Sequence, residues 1–291
     1  MILRKSKSNN LRSWLKKDGS LKPLFYEIKD RFPLAERQYY GGCWDGDGYH
    51  RTHHKKNRKN KYIDLALEMA EDGCEPVFKL AEIFDLSVYA RSKRKGEKYK
   101  NYQRSYTANL GGPKAEMFLL LVYPFIVFRR PSIRKILLER GVPERLLKDP
   151  ITFSWPYLAG FADAEGTPSM RLYHEKIKNK IYSTYKARFT LPNNDFASLS
   201  FIKDKIIEAG FKFRKDYISH HDKKPITENM RLRGANPKNW KPGKTIAVAG
   251  GAKELGRLYE NIIDFSLIKK KKDIMKKTMR YKDIFWRDET K

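Results

Sequence analysis

The nine residues Leu158-Ala-Gly-Phe-Ala-Asp-Ala-Glu-Gly166 recur in looser form as Tyr40-Gly-Gly-Cys-Trp-Asp-Gly-Asp-Gly48, 118 residues earlier. Two further echoes follow in the same order. Ala108-Asn-Leu-Gly-Gly-Pro-Lys114 resembles Ala247-Val-Ala-Gly-Gly-Ala-Lys253 at an offset of 139, and Phe125-Ile-Val-Phe-Arg-Arg130 resembles Phe265-Ser-Leu-Ile-Lys-Lys270 at 140. Ordered self-similarity of this kind marks an internal duplication. The jump from 118 to 139 places about 21 additional residues in the second copy, and the Pro/Gly/Asn-rich stretch 216–244 is the natural loop to hold them.

Periodicity fills in each copy. Tyr157 to Ala164 reads as a helix, stopped by Gly166 taking the left-handed backbone common after helix ends. Thr167 to Tyr173 and Ser183 to Leu191 alternate as strands, the latter with Tyr185, Ala187, Phe189 and Leu191 opposite Thr184, Lys186, Arg188 and Thr190. A helix over Phe196 to Ala209, strands at Phe211 to Ile218 and Thr245 to Ala249, and a helix over Ala252 to Phe265 complete the copy. The first copy runs in parallel: a helix before Gly48, strands near Tyr49 to His54 and Tyr62 to Met69, a helix over Val77 to Phe84, strands at Ser87 to Lys93 and Tyr102 to Leu110, and a helix from Pro113. The fold expected is α+β, two pseudo-symmetric αββαββα repeats over 37–150 and 151–270. Residues 1–36 and 271–291 are expected to be basic extensions outside them.

Composition narrows the partner. The chain has 291 residues, 40% of them hydrophobic, with 17 Tyr and 16 Phe, enough for a substantial core. It also carries 62 Lys and Arg against 34 Asp and Glu, a net charge of +28 that a polyanion would neutralise. Nucleic acid is the expected partner. The apolar run Met117 to Phe128 contains Pro124 and is shorter than the roughly 20 residues of a membrane span, so it reads as a buried helix. The basic N-terminus has no apolar core of a signal peptide, and two cysteines, Cys43 and Cys74, suit a reducing, intracellular setting in an unspecified compartment.

The repeated motif carries the chemistry. In each copy an acid, Asp47 or Glu165, ends a helix where the dipole is already negative, with a second acid, Asp45 or Asp163, close behind. Something positive must compensate, and a hard divalent cation such as Mg²⁺ would do so. Gly41 and Gly42, with Ala159 and Gly160, let the two motif helices approach closely and bring Asp47 and Glu165 together. Two or more cations there could activate water and stabilise the leaving oxygen of a phosphodiester. Asp45 and Asp163 read as structural, hydrogen-bonded locally. A calcium loop starting at Asp45 would need a Glu where Lys56 stands, and His50, His53, His54 and Cys43 lack a second ligand pair for zinc.

These motifs resemble the signature of the LAGLIDADG homing endonucleases in their single-chain, two-motif form, over about residues 37 to 270. The resemblance implies that the motif helices form the interface between halves and that two antiparallel sheets form a DNA-binding saddle. It also implies a monomeric enzyme with no obligatory protein partner and no membrane, hydrolysing both strands of a long double-stranded DNA site to leave 3′ overhangs. Asp47 and Glu165 would bind the catalytic Mg²⁺ ions together with the carbonyls of Gly46 and Ala164. Mn²⁺ would substitute, and Ca²⁺ would bind without supporting cleavage. A basic residue near each active site corresponds to Arg129 and Lys269, and a polar residue that positions water corresponds to Asn193, with Glu71 or Asp72 in the first copy. The residues expected on DNA are Arg51, His53, Lys55, Arg58, Arg91, Lys93 and Arg104 from the first half, and Arg171, Lys186, Arg188, Arg231 and Arg233 from the second. The alternative within the same fold is an RNA maturase acting on a host intron without cleavage.

Overall fold

A computed structural model describes residues 14, 16, 20–54, 61–91, 104–177, 180–193, 195–213, 244–248, 251–281 and 287–288. The first half opens with helices α1 (Pro23–Arg31) and α2 (Leu34–Asp47), then strands β1 (Gly48–His54) and β2 (Lys61–Ala70), helix α3 (Glu75–Phe84), strands β3 (Val88–Arg91) and β4 (Ser105–Gly111), and helices α4 (Pro113–Val122) and α5 (Arg130–Glu139). The second half follows as α6 (Trp155–Ala164), β5 (Thr167–Ile177), β6 (Lys180–Asn193), α7 (Phe196–Glu208), β7 (Lys244–Ala247), α8 (Gly251–Ile262) and α9 (Lys269–Arg280), with a short β8 (Arg287–Asp288). The first sheet runs β1-β2-β4-β3 and the second β5-β6-β7, all antiparallel. An isolated bridge from Phe213 to Val248 stands where the strand expected over Phe211 to Ile218 would pair, and residues 214–218 lie outside the described set.

The alternation predicted for the strands decides which face packs. In β2, Ile63, Leu65, Leu67 and Met69 are buried, and in β6 Phe189 and Leu191 are buried while Lys186 and Arg188 are exposed. The apolar run at Met117 is helical only to Val122. Pro124 then takes the chain into a 3₁₀ turn, Tyr123–Phe125, since its ring cannot continue the α-helix.

The two halves meet along α2 and α6. A Cβ on Gly42 would lie 2.0 Å from the Tyr157 carbonyl oxygen, and one on Gly160 would lie 1.9 Å from that of Tyr39, so the helix backbones touch directly. The glycines that close the motifs serve a different purpose from the left-handed turn expected of Gly166. Gly48 has φ −66° and ψ 136°, and Gly166 is not among the glycines with positive φ. What excludes a side chain is crowding: a Cβ on Gly48 would sit 2.3 Å from the Trp44 ring, and one on Gly166 2.6 Å from the Ala162 Cα.

Both expected extensions are in part built into the core. Trp14 is fully buried and donates from Nε1 to the Glu116 carboxylate at 3.1 Å, with the Phe25 ring beside it, and Ile28 and Phe32 are buried in the same core. Phe32 stacks near Phe118 and Phe84. The boundary at residue 36 therefore cuts through a continuous core: apolar residues at helical spacing in α1 outweigh the surrounding charge. At the other end α9 runs ten residues past 270 and buries Met275 and Thr278, with Thr278 against Met170 of β5.

Because backbone atoms face Gly42 and Gly160, a methyl group there can be accommodated only by separating the helices. Gly42→Ala and Gly160→Ala are each expected to lower the unfolding free energy by about 3 kcal/mol, measured by urea denaturation. A loss below about 1 kcal/mol, the low end for an overpacked site, would show that the helices can slide apart at little cost.

Candidate active site between the halves

Close helix packing brings the motif ends together. A Cβ on Gly46 would fall 2.4 Å from the Ala164 Cβ and 2.9 Å from the Glu165 Cγ, so the last turn of α2 lies directly against the end of α6. Asp47 is the last residue of α2 and Glu165 the C-cap of α6. Both line one open cavity with Asp72, Gly166, Pro168, Lys270 and Lys271. Asp47 is exposed to solvent there, but protein atoms crowd its carboxyl. That desolvation, and then repulsion from Glu165, push Asp47 up to about 7, against the pull of Lys271 and Arg129. Glu165 is also raised by desolvation, opposed by Arg129 and Lys271.

The inner acids are structural, yet their partners are distant in sequence. Asp45 is buried and accepts from the backbone N–H of Val127 at 2.7 Å and of Arg129 at 3.0 Å, and from the Tyr157 hydroxyl at 3.0 Å. Asp163 mirrors it, accepting from the N–H of Leu267 (2.7 Å) and Ile268 (3.2 Å), the Ser266 hydroxyl (2.8 Å) and the Tyr39 hydroxyl (2.8 Å). Burial drives Asp45 up to about 6 and raises Asp163, while these hydrogen bonds hold both down. The expectation of local hydrogen bonding is thus corrected. Each acid ties its helix to a segment of its own half, after α4 for Asp45 and after α8 for Asp163, and to a tyrosine on the opposite motif helix.

Those tethered segments deliver the cations. Arg129 donates from Nε to the Asp45 carbonyl at 3.3 Å and from Nη2 to the Gly46 carbonyl at 2.9 Å, covering the negative end of α2. Burial lowers its pKa, and Asp45, Glu165 and Asp47 oppose that. In the second half the equivalent group is Lys271, not Lys269. The Lys271 Nζ lies 2.8 Å from the carbonyl oxygen of Ala162, 2.6 Å from that of Asp163 and 2.9 Å from that of Gly166. An ammonium has three protons to donate, and three carbonyls take them. Burial lowers its pKa, and Asp163, Asp47, Cys43 and Glu165 raise it. Lys269 is exposed, and its backbone N–H points to Glu75 at 3.3 Å. The physical reason is helix phase. Ile268, Lys271, Met275 and Thr278 recur at helical spacing along one face, so Lys269 and Lys270 stay exposed while Lys271 is half-buried with its Nζ on the helix-end carbonyls.

The remaining expected residues are dispersed. Asn193 accepts from the Asp195 N–H at 3.0 Å, a local turn at the mouth of α7, and is not among the residues lining the cavity. Asp72 does line it but is engaged by Lys270 at 2.9 Å, and Glu71 is exposed. The Gly46 carbonyl faces Arg129, and Ala164 lines the cavity. Arg51, Arg91 and Arg104 are exposed on the first half, and Arg171, Lys186 and Arg188 on the second. Lys186 lies 4.6 Å from the Tyr173 ring centroid. His53 falls in β1 with only its backbone described, while Lys55, Arg58, Lys93, Arg231 and Arg233 lie outside the described residues. His50, set aside above as a zinc ligand, lies in β1 opposite Leu65 of β2. Its Nδ1 is buried without a hydrogen-bond partner among the described residues, and burial followed by Arg129 lowers its pKa.

No family model and no curated protein matches this sequence. Solved structures do. The LAGLIDADG meganuclease I-AabMI, bound to uncleaved DNA, aligns over 85% of this chain and 90% of that one, with a TM-score of 0.53 and 10% identity. A single-substitution mutant of I-SmaMI aligns over 84% and 89% with a TM-score of 0.52 and 11% identity, and a double mutant over 84% and 90% with 0.53 and 11%. Two antiparallel sheets joined through a pair of glycine-packed helices that end in acids make this the fold of the LAGLIDADG meganucleases.

Proposed function

We propose that the chain is a site-specific homing endonuclease that hydrolyses both strands of a long duplex target and leaves 3′ overhangs. The observation that carries this reading is the meeting of Asp47 and Glu165 at two helix ends whose backbone carbonyls Arg129 and Lys271 already cover. Similar folds bound to DNA, as in the I-AabMI complex, support duplex DNA as the partner.

The residues present fit a hard divalent cation. Among the described residues no group of three or more His, Cys, Asp and Glu could hold a metal, and the side-chain ligands proposed are the Asp47 and Glu165 carboxylates at the cavity. That suits Mg²⁺, which keeps water and takes phosphate oxygens to complete its shell. Asp47 and Glu165 would hold it, with the Gly46 and Ala164 carbonyls adjacent. When bound, such ions lower the pKa of water and stabilise the leaving oxygen.

The chain's own groups do the rest. Arg129 and Lys271 offset the helix dipoles, so that the carboxylates do not face an additional negative end. Arg51, Arg91 and Arg104 on one side and Arg171, Lys186 and Arg188 on the other would hold the duplex across the cavity. One carboxylate from each half gives a pseudo-symmetric centre able to address two antiparallel strands.

In a randomised duplex library the wild type is expected to make double-strand breaks at one long site with Mg²⁺, and to bind that site without cutting in Ca²⁺. Asp47→Asn and Glu165→Gln should each lose cleavage by at least about 10²-fold while retaining binding in Ca²⁺. No cleavage, with salt-sensitive binding to structured RNA, would replace this reading with the maturase one. Lys271→Ala should slow cutting at least tenfold, whereas Lys269→Ala should leave it within twofold; equal effects would overturn the assignment of Lys271.

A second expectation concerns the cation alone. An ion that binds only the folded chain stabilises it by mass action, so Mg²⁺ at about 100 times its Kd should add about 2.7 kcal/mol. That corresponds to a rise in Tm of roughly 5 to 10 °C for a chain of this size. The Asp47→Asn, Glu165→Gln double variant should show no such rise in a thermal-shift titration; an equal rise would place the binding elsewhere.

A further inference from the structure

The outer face of the first sheet carries two acids, which is unexpected in a chain of net charge +28 whose partner is an anion. The concavity over that face is lined by Tyr49, Arg51, Asp64, Glu68, Arg91 and Asn109, among others. The register explains who meets whom. Arg51 of β1 stands directly opposite Asp64 of β2, and its Nη2 lies 3.5 Å from the Asp64 Oδ2. Glu68 of β2 is fixed at both oxygens: the Ser105 hydroxyl of β4 donates to Oε1 at 2.7 Å, and the Arg91 Nη1 of β3 lies 2.9 Å from Oε2. A three-strand relay from Ser105 through Glu68 to Arg91 therefore crosses the face. The arginines stay largely solvent-exposed, at 59% for the Arg51 side chain and 66% for Arg91.

An exposed carboxylate on a duplex-facing surface repels phosphate and lowers overall affinity, so it contributes nothing to backbone holding. It can, however, restrict a flexible arginine. A guanidinium has five donors in a planar fork, and a carboxylate on one edge leaves the other edge free to face the acceptors O6 and N7 of a guanine. Loss of rotamer freedom is then met before binding rather than during it.

We propose that Glu68, and with it Asp64, are positioning residues that hold Arg91 and Arg51 for reading base edges in the major groove, and so set sequence preference in the half of the target under the first sheet. This rests on the reading of the protein as a duplex-binding endonuclease. The test is binding-specificity profiling on all single-base variants of the preferred site in Ca²⁺, for wild type, Arg91→Ala, Glu68→Ala and Ser105→Ala, with random-sequence DNA measured alongside. Glu68→Ala should flatten preference by about tenfold at the same one or two base pairs that Arg91→Ala flattens. Affinity for random-sequence DNA should stay equal or rise, because a negative charge has gone. Ser105→Ala should flatten the same positions more weakly.

If Glu68→Ala shifts all sequences by one common factor and leaves the preference profile unchanged, or flattens base pairs other than those of Arg91, the inference is overturned while the endonuclease reading stands. A wild type that prefers no duplex sequence overturns that reading and the inference with it.

Discussion

Everything in this molecule follows from the contact of two helix backbones at Gly42 and Gly160. Side-chain-mediated packing sets helix axes 8–10 Å apart. Here the carbonyl oxygens of Tyr39 and Tyr157 occupy the space where a Cβ would project, so the helices come closer than ordinary packing permits. Closeness at mid-helix fixes the distance at the ends. Gly46 lies against Ala164 and Glu165 for the same reason, and Asp47 and Glu165 have no freedom to separate. The sheets hang from these helices through β1 and β5, which begin at Gly48 and Thr167 immediately after them. The cavity at the helix ends and the points from which the two sheets start are thus set by one interface.

The same contact creates an electrostatic problem at the site. Two helix C-termini and two carboxylates converge, and each helix end is worth about half a negative charge. The protein offsets the dipoles with Arg129 and Lys271, both of which are spent on backbone carbonyls. Desolvation still raises both carboxylates, with repulsion from Glu165 added at Asp47, although Arg129 and Lys271 pull each of them down. A centre designed only for stability would place apolar groups there, as at the buried middle of the same helices. Two acids with raised pKa values at an open cavity mark it as the candidate site on which the proposed function rests.

How much of this was legible in the sequence depends on the range of the interaction. Elements defined by local period were readable: the alternation of Tyr185, Ala187, Phe189 and Leu191 and the Gly-plus-acid motifs placed strands, the motif helices and the outer acids. Lys271 was obscured because the run of lysines looks uniform, and the echo at Phe265 pointed two residues short. Arg129 is the N-cap of α5, whereas its counterpart reaches in from the first turn of α9, so a fixed offset cannot find it. The inward stripe of Ile268, Lys271, Met275 and Thr278 was the available signal. Likewise Phe25, Ile28 and Phe32 stand at helical spacing in a stretch whose basic character drew the boundary at 36. The partners of Asp45 and Asp163 were not legible, since they lie 82 to 124 residues away.

Those long-range partners also explain why the halves form a unit rather than two joined domains. Asp45 belongs to the first half but takes a hydroxyl from Tyr157 of the second, and Asp163 takes one from Tyr39 of the first. Separating the halves would take from each carboxylate the one hydrogen bond that crosses the interface and would open the apolar helix faces to water. The same acids hold Val127 and Arg129, and Leu267 and Ile268, by their backbone N–H groups. The cations that cover the helix ends are therefore positioned by residues whose own hydrogen bonding is complete only in the assembled interface. Backbone amides and tyrosine hydroxyls make these ties, and they constrain geometry more than residue identity. This is how two copies that share few residues beyond their motif can build matching halves of one site.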